Sequence, residues 1–455
     1  MIGKIDRKVG FVSFGEVNSP KKLIAEMSDK ALRGIHSLGY QIVTTGLVTD
    51  DERGEDVLRA QEELAQEKFD VLIICLSGWI PSHTVISITD KYRHLPIVLW
   101  GLAGEKPNGH IVTTAAQAGT SALRKVFQDL GYKFIYLYNI IGSPSPLSKI
   151  ESFITAAFAG KNLRDSRIGM MGFRDMRLYN TLYEGISLKK NLGIEVEFFE
   201  MLEVVSLSEK INADEVQVVL DKIKSAWEFL GEMDKDFLKR GITYYLAIKQ
   251  IADERGLDAI SLKDVDGMKK ILGFPPAFVF MLLADEAGFC TIPENDVMGA
   301  VTQLVVKQLT GQCAAYLEFY EYFEDSVLMG VPDYVPQEVV EGGIRVLPAA
   351  FGQISGGLLN VSAMKEGGLT IARISNTGSD YTMHIAYGQG ERCSWEEAGW
   401  TQPAPQLPSL LVKLETPVEQ FVKHISGQHY ILAYGDYRNQ FVDFCELNDI
   451  AVVLH

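Results

Sequence analysis

Five short apolar runs open the chain, each nearly continuous rather than alternating: VGFVSFG (9–15), YQIVTTG (40–46), DVLIICLSG (70–78), PIVLWGL (96–102) and FIYLYN (134–139). A strand with polar residues at every second position keeps one face in water. A strand apolar at successive positions is buried on both faces. The segments between these runs, at about 21–38, 57–68 and 115–130, carry helical periodicity. Strands alternating with helices, with both sheet faces covered, specify a parallel α/β sheet. Such sheets bind ligands beyond the C-terminal ends of their strands. SGWIPSHT (77–84) lies at one such end and places Trp79 and His83 in a loop.

The pattern restarts near residue 165. SRIGMMGFRDM (166–176) reads as strand then loop, 179–190 as helix and GIEVEFFEM (193–201) as strand. Helical stretches follow at about 207–225 and 235–255. DAISLKDV (258–265) reads as a strand and loop. PPAFVFMLLADEAG (275–288) has proline near its start and glycine at its end, the punctuation of a helix. A short strand then leads into Val297, Ala300, Val301, Leu304, Val305 and Leu309, a helical stripe that stops at Gly311. Beyond about 343 the runs become short and are separated by glycine, asparagine and proline: GGLLNVSA, GLTIARIS, YTMHIAYG and PSLLVKLE. That is the signature of a small β-barrel or sandwich. The segment from His429 to the end reads as strand, helix, strand. The expected architecture is therefore two tandem Rossmann-like (flavodoxin-like) parallel-sheet domains followed by a small C-terminal β-barrel. Its domains run 1–164, 165–342 and 343–455, the second carrying Glu294 and Glu318 and the third His429.

A chain of 455 residues is too long for one ordinary core. Its net charge of −16, from 59 acidic and 43 basic side chains, repels phosphate and argues against a nucleic-acid or anionic-membrane partner. It suits a protein that handles small molecules or cations. The opening MIGKIDRKVGFVSFG has no apolar leader or cleavage site, so no signal peptide is expected. No apolar run approaches the length of a membrane span. The five cysteines are scattered with no C-x-x-C pair, as in a reduced, cytoplasmic protein.

Chemistry-bearing residues are sparse. Asp296 precedes the 297–309 stripe, where a carboxylate caps free N–H groups and complements the helix dipole. Capping does not account for Glu294, two residues earlier. Glu318 follows the strand-like QCAAYL, and His429 stands at the entry of an apolar strand in SGQHYILAYGD. Each has a bland alternative, a solvated surface acid or a structural histidine. Arg174 and Met176, in GFRDMRLY, follow the first strand of the second unit, and Lys263 ends the strand AISL. An ion-paired loop arginine and an exposed lysine are the ordinary readings of Arg174 and Lys263. Cations there facing a pocket would suit a substrate with an anionic group.

Several segments together resemble the L-fucose/L-arabinose isomerase family, nearer its fucose branch: PENDVMGAVTQLVVKQLTG, AAYLEFYEYFEDSVLMG, EGGLTIARIS, IAYGQGE and SGQHYILAYGD. LRDSRIGMMGFRDMRLYNTLYEGISLKKNLGIEVEFFE is similar to the start of that family's second domain. The resemblance covers most of the chain and rests on order and spacing. It implies a metal-dependent aldose–ketose isomerase working through a cis-enediol. Glu294 and Glu318 match the acidic metal ligands, which double as acid/base pair, and His429 matches the ligand histidine. Two carboxylates and an imidazole suit manganese (Mn2+) or another divalent ion with positions open to sugar oxygens. The resemblance also implies a homo-oligomer, trimer or hexamer, with the loop of Trp79 approaching a neighbouring subunit's site.

There are departures. Glu318 stands where the fucose branch often has Asp. Val331 and Asp333 lie where relatives often carry a histidine. Gln428 replaces an expected Asn before the ligand histidine and is placed to meet a sugar hydroxyl. The sugar is therefore open, including a modified or anionic hexose. Two other readings remain: a non-catalytic sugar-binding or sensor protein of two-lobed α/β build, and a related sugar epimerase or aldolase.

Overall fold

The computed structural model describes residues 7–331, 334–349, 356–393 and 408–455. The chain divides into two units, one ending at Gly160 and the other running from Lys161 to His455.

The first unit holds β1 (Lys8–Phe14), β2 (Gln41–Thr44), β3 (Val71–Leu76), β4 (Ile97–Gly101) and β5 (Phe134–Tyr138). All pairings are parallel and the order is β2-β1-β3-β4-β5. Every residue of β3 and β4 is buried, as their unbroken apolar runs require. Val12, Phe14, Leu72, Ile74, Leu76, Leu99 and Phe127 belong to one core cluster.

The second unit contains, in chain order, β6 (Arg167–Met171), β7 (Glu195–Phe199), β8 (Glu228–Phe229), β9 (Ala259–Leu262), β10 (Cys290–Ile292), β11 (Ala315–Tyr322), β12 (Ser326–Gly330), β13 (Arg345–Leu347), β14 (Leu359–Asn360), β15 (Gly367–Thr377), β16 (Asp380–Glu391), β17 (Ser409–Leu414), β18 (His429–Tyr434) and β19 (Ala451–Leu454). A parallel sheet runs β10-β9-β6-β7, and β14-β13-β8 forms a small mixed sheet. The barrel runs β15-β18-β11-β12-β17-β16 and closes by pairing β16 with β15, all antiparallel, while β19 joins β16 in parallel. Closure leaves the six barrel strands no unpaired edge. Sheet and barrel share one core: Met171, Ile260 and Leu282 lie in the same cluster as Leu317, Ile371, Val412 and Leu432.

The fold therefore matches the expected mixture of parallel sheets and barrel, with three local differences. The barrel begins at β11, well before residue 343, so Glu318 belongs to the barrel and not to the second parallel sheet. The sequence reading missed this because β11 runs past Glu318 to Tyr322, and the residues 323–325 turn it back into β12. The helix expected at 207–225 is two, Met201–Ser208 and Ala213–Ala226. Asn212 starts the second by accepting the Asp214 N–H. After β9 the chain makes a six-residue π-type turn, Asp264–Lys269, where only a loop was expected.

Candidate active site

Strand register brings the first two candidates together. In the antiparallel pair β11–β18, Glu318 stands directly opposite His429. Residues opposite one another in such a pair project from the same face. Tyr316, two residues before Glu318, shares that face and stacks on the His429 ring, with centroids 4.2 Å apart and planes 11° from parallel. The exposed Gln428 donates through Nε2 to Glu318 Oε2 at 2.7 Å.

Glu294 arrives from the parallel sheet. Just after β10 the backbone turns through two successive left-handed residues, Glu294 (φ 64) and Asn295 (φ 53). Neither is glycine, so the conformation costs energy and persists only if the surroundings impose it. They do. The Glu294 N–H donates to Asp264 Oδ1 at 2.8 Å. The Asn295 N–H reaches the Leu262 carbonyl, and its side-chain amide reaches that of Met171. The turn is thus held to the C-terminal ends of β9 and β6. It puts Glu294 Oε2 3.8 Å from His429 Nδ1, while Glu318 Oε2 lies 3.8 Å from Nε2. The imidazole is 3% exposed and the carboxylate side chains 14% and 19%.

Behind the ring the charges are closed. Asp296 caps the helix Val297–Thr310 through the Gly299 N–H. It also accepts two bonds from Arg373, at 2.5 and 2.9 Å, and the Tyr316 hydroxyl at 2.7 Å. Both ion-pair side chains are 1% exposed. Burial opposes the charge on Asp296, but the Arg373 guanidinium outweighs it and holds the carboxyl below its usual range. Tyr316 is held well above the ordinary tyrosine value by burial and by Asp296. Two glycines fit only because they lack a side chain. A Cβ on Gly427 would stand 2.9 Å from Arg373 Nε, and one on Gly299 2.7 Å from Asp296 Oδ2. Burial is the main force on His429 too; Asp296 works against it and Arg373 with it, and the ring falls to about 3. His429 is therefore a neutral imidazole at ordinary pH, the form that ligates metals.

In donor chemistry the three side chains fit a hard or borderline divalent cation. Their arrangement is not that of a preassembled centre. The carboxylates approach different ring nitrogens, and one ion uses only one of them. Among the described residues no group of three or more His, Cys, Asp and Glu side chains is placed to hold a metal ion. A shared ion requires Glu294 or Glu318 to turn toward the other's side of the ring.

The remaining candidates lie elsewhere. Arg174 (φ 46) and Met176 (φ 44) sit in the turn after β6. The Arg174 guanidinium lies 5.2 Å from the centroid of Tyr179, and the Met176 N–H donates to its neighbour Asp175. Lys263 donates to the Phe173 carbonyl at 3.3 Å. All three border the C-terminal edge of the parallel sheet. Val331 is buried at the end of β12, its N–H bonded to the Pro408 carbonyl. Asp333 lies outside the described residues. Trp79 is in the first unit, 38% exposed, its backbone bonded to Glu16 and Thr114. His83 is not in a loop but in the helix Ser82–Thr89.

Sequence reasoning missed Arg373, Tyr316 and Asp264. Arg373 left a trace: a lone cation inside the apolar run GLTIARIS is costly unless an acid meets it.

No family model matches the sequence. The chain is similar to sulfoquinovose isomerases from Priestia aryabhattai and Priestia megaterium, 17% identical to each over 393 residues, which is 84% of this chain and 84% of each relative. Among solved structures it overlaps a periplasmic solute-binding protein from Actinobacillus succinogenes with bound D-allose. That overlap has TM-score 0.18 and 13% identity, over 67% of this chain and 92% of the other. A solute-binding protein from Burkholderia multivorans gives TM-score 0.17 and 12% identity, over 68% and 96%. Overlaps this slight carry no argument. No helix among the described residues is long and apolar enough to cross a membrane.

Proposed function

We propose that this chain is an aldose–ketose isomerase acting on an anionic hexose, with Glu294 and Glu318 moving protons on either side of His429. The observation that carries the reading is the meeting of both carboxylates at one buried, neutral imidazole. The long, distant likeness to sulfoquinovose isomerases supports the reaction class. Arg174 and Lys263, at the edge of the sheet from which Glu294 comes, support a substrate with a negative group.

Aldose–ketose isomerisation moves one proton between adjacent carbons through an enediol. One carboxylate takes the carbon proton and returns it to the neighbouring carbon, and the other moves protons among the sugar oxygens. Glu318, held by Gln428 Nε2, has one oxygen fixed in direction. Glu294, on a turn pinned by Asp264, is set at the opposite edge of the ring. His429 is locked by its stack on Tyr316, whose hydroxyl is tied to the buried ion pair. A divalent ion, Mn2+ by donor preference, would be held by His429 with Glu294 and Glu318. When bound it polarises the sugar carbonyl and stabilises charge developing on oxygen.

The test is a panel of aldoses, including sulfoquinovose and neutral hexoses and pentoses, assayed for ketose with Mn2+ and after chelation. The reading expects ketose formation that chelation abolishes and added Mn2+ restores, fastest with an anionic sugar. Stoichiometric sugar binding with no ketose from any aldose would replace it with the sensor reading.

A further inference from the structure

We infer that Asp264 is a positioning residue: its carboxylate sets the backbone of Glu294 and so the reach of the Glu294 side chain toward His429. Three observations carry this. First, Glu294 stands in a left-handed conformation that its own side chain does not favour, followed by a second left-handed residue. Second, the bond holding the Glu294 N–H comes from a side chain, Asp264 Oδ1 at 2.8 Å, whereas the next residue is held by a main-chain carbonyl. Third, Asp264 is 1% exposed and its other oxygen lies 3.8 Å from the ammonium of Lys269, itself 9% exposed. A buried carboxylate with a buried counter-charge is a fixed point.

The anchoring continues one step further back. Asp264 opens the π-type turn, and π-type insertions recur at functional sites. The next two N–H groups of that turn, of Val265 and Asp266, both donate at 2.7 Å to the fully buried Asp175, which also accepts the Met176 N–H at 3.0 Å. Asp175 belongs to the turn after β6. The loops following β6, β9 and β10 are therefore joined in series by two buried carboxylates, and Glu294 is the last residue of the series. A reacting carboxylate must be held to within a fraction of an ångström of its productive position. This series does that without Asp264 touching the substrate.

Two variants separate positioning from charge balance. Asp264→Asn keeps a side-chain oxygen for the Glu294 N–H and loses the charge opposite Lys269. Asp264→Glu keeps the charge and moves the acceptor by about 1.5 Å, one C–C bond. Positioning expects Asp264→Asn to retain kcat within about threefold. It expects Asp264→Glu to lose about 10- to 100-fold in kcat with KM little changed. A role confined to charge balance reverses that order: the Asn variant is destabilised and Asp264→Glu resembles the parent. The kinetic arm rests on the isomerase reading, so a second readout is taken on the unliganded protein. The imidazole 15N signals of His429, assigned with His429→Gln, report the carboxylate beside Nδ1. They are expected to shift in Asp264→Glu and to stay in Asp264→Asn. Unmoved signals in a folded Asp264→Glu protein would overturn the inference, whatever the assay shows. Moved signals with no turnover in the parent would sustain it and remove the isomerase reading instead.

Discussion

On the two sides of the His429 ring the same kinds of group are used to opposite ends. Behind it, Asp296, Arg373 and Tyr316 satisfy one another, away from water. In front of it, Glu294 and Glu318 lie 3.8 Å from the ring nitrogens, outside direct hydrogen-bond range, and keep some exposure. Asp296 and Glu294 are only two residues apart in sequence, so residue type does not decide between the roles. The partner does. A guanidinium forked onto Asp296 fixes its charge and spends its acceptor capacity in the fold. A neutral imidazole 3.8 Å from Glu294 does neither. A carboxylate shut in by a bidentate arginine is poor material for acid–base work, however deep it sits.

The comparison breaks most visibly if the front residues are replaced. Glu294→Gln and Glu318→Gln are each expected to lower kcat by about 10²–10⁴-fold while leaving the urea midpoint near that of the parent. Loss of stability with activity retained would show that the front pair is structural as well. The back should answer in the opposite currency. Arg373→Ala, which leaves Asp296 buried and unpaired, is expected to cost about 3–5 kcal/mol in urea unfolding. An unchanged midpoint would mean the pair contributes nothing to the fold.

A third carboxylate sharpens the contrast between an acid forked by a guanidinium and one that is not. Asp285 accepts the Gln337 N–H through one oxygen at 2.8 Å, while its other oxygen is buried with no hydrogen-bond partner among the described residues. Burial pushes its carboxyl up to about 7; the Gln337 bond opposes this and Glu286 adds to it. A raised acid binds more protons folded than unfolded between about pH 4 and pH 7. Its contribution to stability is therefore full at acid pH and falls as pH rises through that window. Asp296, held low, has the opposite sign and loses stabilisation only in strong acid. Asp285→Asn should flatten the decline by an amount on the order of 1–3 kcal/mol at pH 8, read from urea curves at several pH values. A decline of the same slope in the variant would exclude Asp285 as its source. The smallest effect is expected at the join between front and back. Tyr316→Phe keeps the ring on His429 but removes the hydroxyl from Asp296. It should cost about 0.5–1.5 kcal/mol and change kcat little, measured on one preparation by unfolding and by turnover.

Much of the scaffold was legible before any coordinates. The unbroken apolar runs at β1, β3 and β4 had to be buried on both faces, and the short glycine-punctuated runs beyond 343 had to be strands of a small barrel or sandwich; three of them are barrel strands, while GGLLNVSA forms β14 of the small sheet instead. Asp296 read as a helix cap and is one. Less legible were features set by register and by long-range partners. The start of the barrel at β11 was hidden because a barrel strand and a parallel strand share one apolar pattern over QCAAYL. The pairing that puts Glu318 opposite His429 depends on which strands meet, which no local signal encodes. The left-handed turn at Glu294 and Asn295 breaks local preference outright and exists only because Asp264, Leu262 and Met171 impose it. Local rules fail here at the proposed site, where strain is most often stored.

The most direct measurement is isomerisation in D2O, followed by NMR of the product, with Mn2+ present and a sugar that the aldose panel has shown to be turned over. Carboxylate-mediated proton transfer on either side of His429 expects ketose carrying deuterium at the carbon next to the carbonyl, through exchange of the abstracted proton with solvent, and turnover about 10²–10⁴-fold slower in Glu294→Gln. Full turnover by Glu294→Gln, with product deuterated to the same extent as the parent's, would contradict it.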